Sequence, residues 1–176
     1  KLPGAVLGSN ITVTSNAKAA IQGADFILSA IPLQSTRATL ADLVGHFEGQ
    51  PLIGCSKGVD LATGLGGYSV LQACYPDGPV GLLTGPSFAT DVAGGLPTAL
   101  TLAADASQAV NAWQSDLSTD TLRLYISHDP IGAELGGALK NVMAIACGAS
   151  MGAGLGESAR AALITRGQAE IMRYAV

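Results

Sequence analysis

A chain of 176 residues with 48% hydrophobic and 12% charged side chains can fold around a real core, as one good-sized domain or two small ones, which excludes a disordered polypeptide. Its formal net charge of -4 gives no basic face for nucleic acid, so an anionic ligand must be met by local cations. The apolar stretches 138–154 and 159–176 are broken by residues such as Lys140, Asn141, Arg160, Arg166 and Glu170, short of the ~20 uninterrupted apolar residues of a membrane span.

In chain order, short β-rich runs alternate with helical ones. "ITVT" (11–14) reads as a strand, "NAKAAIQG" (16–23) as a helix, "DFILSAI" (25–31) as a strand and "STRATLADLVGHF" (35–47) as a helix. "PLIGCS" (51–56), helical "GYSVLQACY" (67–75), then "VGLLTG" (80–85) and "PTALTLAA" (97–104) continue the βαβ rhythm of a mostly parallel sheet. A helix over 107–118 and a strand over 121–128 follow, and then two long helical stretches, 131–151 and 158–176. The pattern predicts an α/β domain over 1–128 and the start of an all-helical domain over 129–176. Gly64, Gly66 and Gly67, which follow the expected strand and "SKGVD", lack the spacing and context of a G-x-G-x-x-G nucleotide turn, and they read as a loop and helix entry.

No basic, apolar and small-residue series of an export signal opens the chain. Cys55, Cys74 and Cys147 are an odd set without C-x-x-C spacing and read as buried apolar side chains in a reducing cytosol. His46 and His128 share no metal-ligand pattern and read as structural or surface residues.

The residue that stands out is Lys140 in "ELGGALKNVMAIACG". A structural apolar helix has no need of an ammonium, which is costly to bury unless it snorkels to the surface. Gly132, Gly136, Ala144 and Gly148 share its stripe at i+4 spacing, which permits close approach of a ligand or another backbone. A desolvated lysine there can exchange a proton with a substrate oxygen near neutral pH, and Asn141 adds a neutral donor and acceptor. Lys57 in "GCSKG" follows a strand expected to be central, and open α/β sheets bind ligands at strand carboxyl ends. "TGPSFA" (84–89) also follows a strand, placing Gly85 and Ser87 where an anion or hydroxyl-rich ligand can bind. With "AIPLQSTR" (30–37), three such loops are expected along one sheet edge.

"GADFILSAIPLQSTR", "SKGVD", "TGPSFATDVAGGLPTAL" and "IGAELGGALKNVMAIACG" followed by "ARAALITRGQAE" together resemble the bacterial type of NAD(P)-dependent glycerol-3-phosphate dehydrogenase, from "LPG" at 2–4 to the end. The resemblance implies a Rossmann-like cofactor domain, incomplete here, and an incomplete helical domain of the 6-phosphogluconate-dehydrogenase type. It implies hydride transfer between the nicotinamide and dihydroxyacetone phosphate or sn-glycerol 3-phosphate, with Lys140 exchanging the proton. It further implies that Lys57 contacts substrate and cofactor, that Gly85 and Ser87 lie against the substrate, that Asn141 holds the substrate in register, and that Ala89 lies against the cofactor. NADP is favoured over NAD, and a cytoplasmic homodimer serving phospholipid synthesis is expected. The family's glycine-rich pyrophosphate loop and its substrate-phosphate clamp are absent, so the chain alone is expected to be inactive. Ser158 and Met151 depart from the family's usual asparagine and aspartate, and Arg166 is expected to pack or pair rather than to bind phosphate. Two alternatives stand beside this reading: another β-hydroxyacid dehydrogenase with a helix lysine, and a non-catalytic binding module.

Overall fold

The computed structural model describes residues 4, 6–106 and 108–174. Lys1, Leu2 and Pro3 at the head of the resemblance, Ala5, Ser107 at the start of the 107–118 run, and Ala175 and Val176 at the end of the last helical run lie outside the described residues. Five strands, β1 (Ile27–Ser29), β2 (Leu52–Gly54), β3 (Val80–Thr84), β4 (Thr98–Ala104) and β5 (Leu122–Ser127), form one sheet in sequence order. The β1–β2, β2–β3 and β4–β5 pairs are parallel, and β3–β4 is antiparallel. The sheet is therefore mostly parallel, as expected. The exception lies at the 85–97 connection, where helix α4 (Ala89–Ala93) buries no residue and so does not cover a sheet face as a crossover helix would.

Strand alternation sends side chains to two cores. Leu82 pairs with Ala103 on one face and Leu83 with Leu102 on the other. The first face packs against α2 (Leu33–Ala41) and α3 (Gly67–Cys74) through Leu40, Tyr68 and Leu71. The second packs against α5 (Val110–Leu117) through Val110 and Trp113. Leu52, Ile53, Val80 and Leu102 are wholly buried, each contributing about 1.5–3 kcal/mol of hydrophobic stabilisation.

Two expectations are corrected. Residues 11–14 form no strand, and Ile11 and Val13 are exposed. Their β-branched side chains favour a strand, but local propensity does not dock a segment, and 11–14 pair with no strand of the sheet, the open edge of β1 included. The single helix expected over 35–47 is divided, α2 ending at Ala41 and a 3-10 turn following over Val44–His46, because Asp42, Val44 and Gly45 are poor helix formers. The short helix α1 (Ala17–Ile21) lies within the expected run, with Asn16 accepting from the Ala19 amide at 3.2 Å. Gly66 is the N-cap and Gly67 the first residue of α3, so those glycines form a loop and helix start as read.

After β5 the chain turns into α6 (Pro130–Gly152) and α7 (Gly156–Tyr174). Asp129 caps α6 by accepting from the Gly132 amide at 2.8 Å, with Pro130 in the first turn where no N–H is needed. The two helices run back along each other, and the Met143 side chain fills the space a Cβ on Gly167 would need. Arg166 pairs with Glu170 at 3.0 Å one turn on. Among the described residues no helix is long and apolar enough to cross a membrane.

Candidate active site

Helix α6 carries two adjoining stripes with different tasks. Pro130, Glu134 and Gly137 face the sheet: the first two are buried, and a Cβ on Gly137 would stand 2.9 Å from Thr84 Oγ1 and 3.8 Å from Lys57 Cγ. A side chain there would crowd the Thr84 hydroxyl, so either that side chain or the helix would have to shift. Gly132, Gly136 and Lys140, four residues apart, line one wall of a cleft of about 430 Å³. The opposite wall comes from Thr84, Gly85 and Pro86. At Gly85, φ is +152° and a Cβ would meet Leu100 Cδ2 at 2.9 Å, so the backbone turns out of β3 in a way a side chain would obstruct.

Lys57 sits half-buried beside this cleft, on the loop that leaves β2. Burial first, and the charge of Lys140 second, hold its ammonium below the usual lysine range, while Cys55 pulls the other way. Burial in turn pushes the Cys55 thiol up, opposed by Lys57. The loop is held from α2: Gln34 Nε2 donates to the Val59 carbonyl at 2.7 Å and Gln34 Oε1 accepts from the Leu61 amide at 3.0 Å. Arg37 Nε meets Asp60 Oδ2 at 3.3 Å, and Thr63 Oγ1 donates to the same oxygen at 2.5 Å. The Thr63 hydrogen bond, helped by Arg37, draws the buried Asp60 carboxyl below its usual range although burial opposes it.

Of the expected residues, Gly85 and Lys140 line the cleft and Lys57 stands beside it, next to Gly137. The structure does not bring the others into the cleft lining. Ser87 is half-buried, and Phe88 rather than Ser87 occupies the cap position of α4. Ala89, the first residue of that helix, is exposed, as is Asn141. Lys140 is exposed too, because α6 is not enclosed on all sides: its small residues make it read as buried, yet only Pro130, Glu134 and Ser150 are. The 30–37 loop holds the Lys57 loop and does not line the cleft. Cys55, Cys74 and Cys147 are half-buried free thiols, less enclosed than expected, and His46 and His128 are exposed.

Sequence reasoning missed Thr84, Gln34, Asp60 and the pair Glu134–Ser69. Glu134 carried a signal, since an acidic residue in an apolar helix is as anomalous as Lys140. A larger open cleft of about 500 Å³ includes Asn16, Lys18, His46 and Glu48, but it is built from segments leading into β1 and β2 rather than from loops leaving the strands. The cleft with the lysines is the better candidate.

Comparison with known proteins bears on this cleft. Residues 1–110 match the family model of the NAD-dependent glycerol-3-phosphate dehydrogenase N-terminus, and residues 129–176 that of its C-terminus. The chain is 53% identical over 176 residues to glycerol-3-phosphate dehydrogenase [NAD(P)+] of Ruegeria sp. (strain TM1040), covering 100% of this chain and 55% of that protein. It is 53% identical over 175 residues to the protein of the same name from Roseobacter denitrificans, covering 99% and 54%. A crystal structure of glycerol-3-phosphate dehydrogenase (gpsA) from Coxiella burnetii superposes with a TM-score of 0.88 at 33% identity, over 98% of this chain and 53% of that one. The chain spans about half the length of the curated relatives it matches. With both family models matched in order on either side of the β5 strand, the chain belongs to the NAD-dependent glycerol-3-phosphate dehydrogenase family.

Proposed function

We propose that the complete enzyme to which this chain belongs interconverts dihydroxyacetone phosphate and sn-glycerol 3-phosphate, with Lys140 as the group that exchanges a proton with the C2 oxygen. The observation that carries this reading is Lys140 in the lining of a cleft that Lys57 stands beside, near enough for the charge of one to act on the other, in an acidic chain. Neighbouring ammonium groups polarise a carbonyl and favour negative charge developing on its oxygen. The charge of Lys140 in turn disfavours the proton on Lys57.

NAD(P)H, when bound, supplies the hydride that reduces the C2 carbon. The residues present fit the nicotinamide end of such a cofactor: nothing stands within 4 Å of a Cβ built at Gly136, so this wall admits a flat ring, and the Gly85 turn keeps side-chain bulk off the opposite wall. The chain contains no glycine-rich turn after a strand for the pyrophosphate, so alone it is expected to be inactive. In this reading Lys57 contacts substrate and cofactor, and Gly85, Ser87 and Asn141 contact substrate. Ala89 contacts cofactor. The last three would reach their ligands from outside the cleft lining.

We assign residues 1–128 to the cofactor unit and 129–176 to the helical substrate unit, a division supported by the break between β5 and the capped start of α6. Reduction with NADPH to supply phospholipid synthesis, by a homodimer in the cytosol, completes the proposal. The three free thiols favour a reducing compartment; the rest follows from the family. The deciding experiment is Lys140→Ala in the full-length enzyme, which should lower kcat by about 10²–10⁴-fold while NADPH binding persists. Near-normal turnover would refute the assignment. Titration of the same enzyme with NADPH and NADH reads the cofactor preference.

A further inference from the structure

Glu134 is only 7% exposed, yet its side chain points to no ligand site; it ends at the start of another helix. Its Oε2 accepts from the Ser69 backbone N–H at 3.1 Å and its Oε1 from Ser69 Oγ at 2.8 Å. Ser69 is the third residue of α3, where an N-cap side chain ordinarily accepts from the backbone. The N-cap of α3 is Gly66, which has no side chain to do so, and a Cβ there would run into the Glu134 carboxyl group. The cap of α3 is thus supplied by α6, from 65 residues along the chain.

Two hydrogen bonds accepted by one side chain tie α6 to the amino end of α3. One turn further, Gly137 rests on Thr84 and beside Lys57, and the adjoining stripe carries Lys140 to the cleft. Among the described residues, Pro130 and Gly137 on the same stripe pack without a side-chain hydrogen bond, so Glu134 makes its directional contact. We infer that Glu134 is a positioning residue, which sets the register of α6 through the amino end of α3 and so places Lys140 at the cleft beside which Lys57 stands. This rests on the proposed reaction.

The test uses the full-length enzyme and dihydroxyacetone phosphate. Glu134→Ala is expected to lower kcat by about 10- to 100-fold, the scale of an ångström-sized misplacement of a reacting group, with the KM for NADPH unchanged. Glu134→Gln keeps an oxygen for the Ser69 amide and should retain kcat within about threefold of wild type, a rescue that loss of packing alone does not predict. A folded Glu134→Ala enzyme with wild-type kcat overturns the positioning role, as does a Gln variant no better than Ala. If Glu134→Ala does not fold, Ser69→Ala decides: it removes one donor and leaves the backbone N–H, so a several-fold lower kcat at unchanged KM for NADPH supports the role and unchanged kcat overturns it. A wild-type enzyme that fails to reduce dihydroxyacetone phosphate removes the functional reading and this inference with it, whereas an active wild type with an equally active Glu134→Ala removes only the inference.

Discussion

At the scale of single residues, Lys57 is where the electrostatics of the site can be read in solution. Its ammonium is held below the usual lysine range by burial and by Lys140, so it loses its proton at a lower pH than an ordinary lysine. Substrate binding that depends on the charged form should therefore weaken as pH rises through that lowered value. Lys140→Met removes the like charge and should move the transition to higher pH, which dissociation constants for dihydroxyacetone phosphate measured against pH in the full-length enzyme would reveal. A transition that stays in place would show that the two lysines do not share a field. This coupling was legible in the sequence only in part. Lys57 follows a strand and Lys140 interrupts an apolar helix, and both anomalies are local. That α6 crosses β3 closely enough to bring them together depends on Gly137 meeting Thr84, and no periodicity reports a contact across 53 residues of chain, Thr84 to Gly137. The Glu134–Ser69 pair escaped for the same reason. Asn141 was singled out because it neighbours Lys140, but neighbours on a helix point about 100° apart, and only one of them reaches the cleft lining.

Among the elements, the loop that carries Lys57 depends on its attachment to α2. Gln34 hydrogen-bonds the backbone at Val59 and Leu61, and Asp60 gathers Arg37 and Thr63. Because the Asp60 carboxyl is drawn below its unfolded value, it contributes stability that is present above about pH 3.9 and is lost as pH falls through the folded value. Asp60→Asn should accordingly lower the melting temperature at neutral pH, and the gap from wild type should close in acid. A gap independent of pH would assign the role of Asp60 to packing. Most elements were legible from their periodicity: α2 buries Leu33, Thr36 and Leu40 at helical spacing, and β3 is buried nearly throughout, as a central strand should be. "ITVT" has equally good local propensity and forms no strand, because propensity supplies one side of a ladder and the neighbour must supply the other.

Across the whole molecule, apolar burial is uneven in a way composition cannot convey. The sheet is covered on both faces by α2, α3 and α5, and α6 is tied to it through Glu134 and Gly137. Beyond Lys140 the helical hairpin has little to rest on among the described residues except itself: Ser150 is the only buried residue in the rest of α6 and Gly167 the only one in α7, while Val142, Ile145, Leu155 and Met172 are exposed. Helices take most of their stability from the packing of an apolar face, and local opening costs least where such packing is sparse. Two grades of hydrogen-exchange protection are therefore expected in this 176-residue chain. Amides of β2, β3, β4 and the first turns of α6 should exchange only with global unfolding, and those from about residue 142 onward much faster. Leu102→Ala, which empties a wholly buried site in the second core, should cost about 2–5 kcal/mol and accelerate exchange in the sheet. The hairpin amides should be nearly unaffected, because they already open by a cheaper route. Equal acceleration in both regions would mean that the hairpin and the sheet unfold as one cooperative unit, and that the Glu134–Ser69 tie transmits stability along the whole of α6 instead of fixing only its first turns.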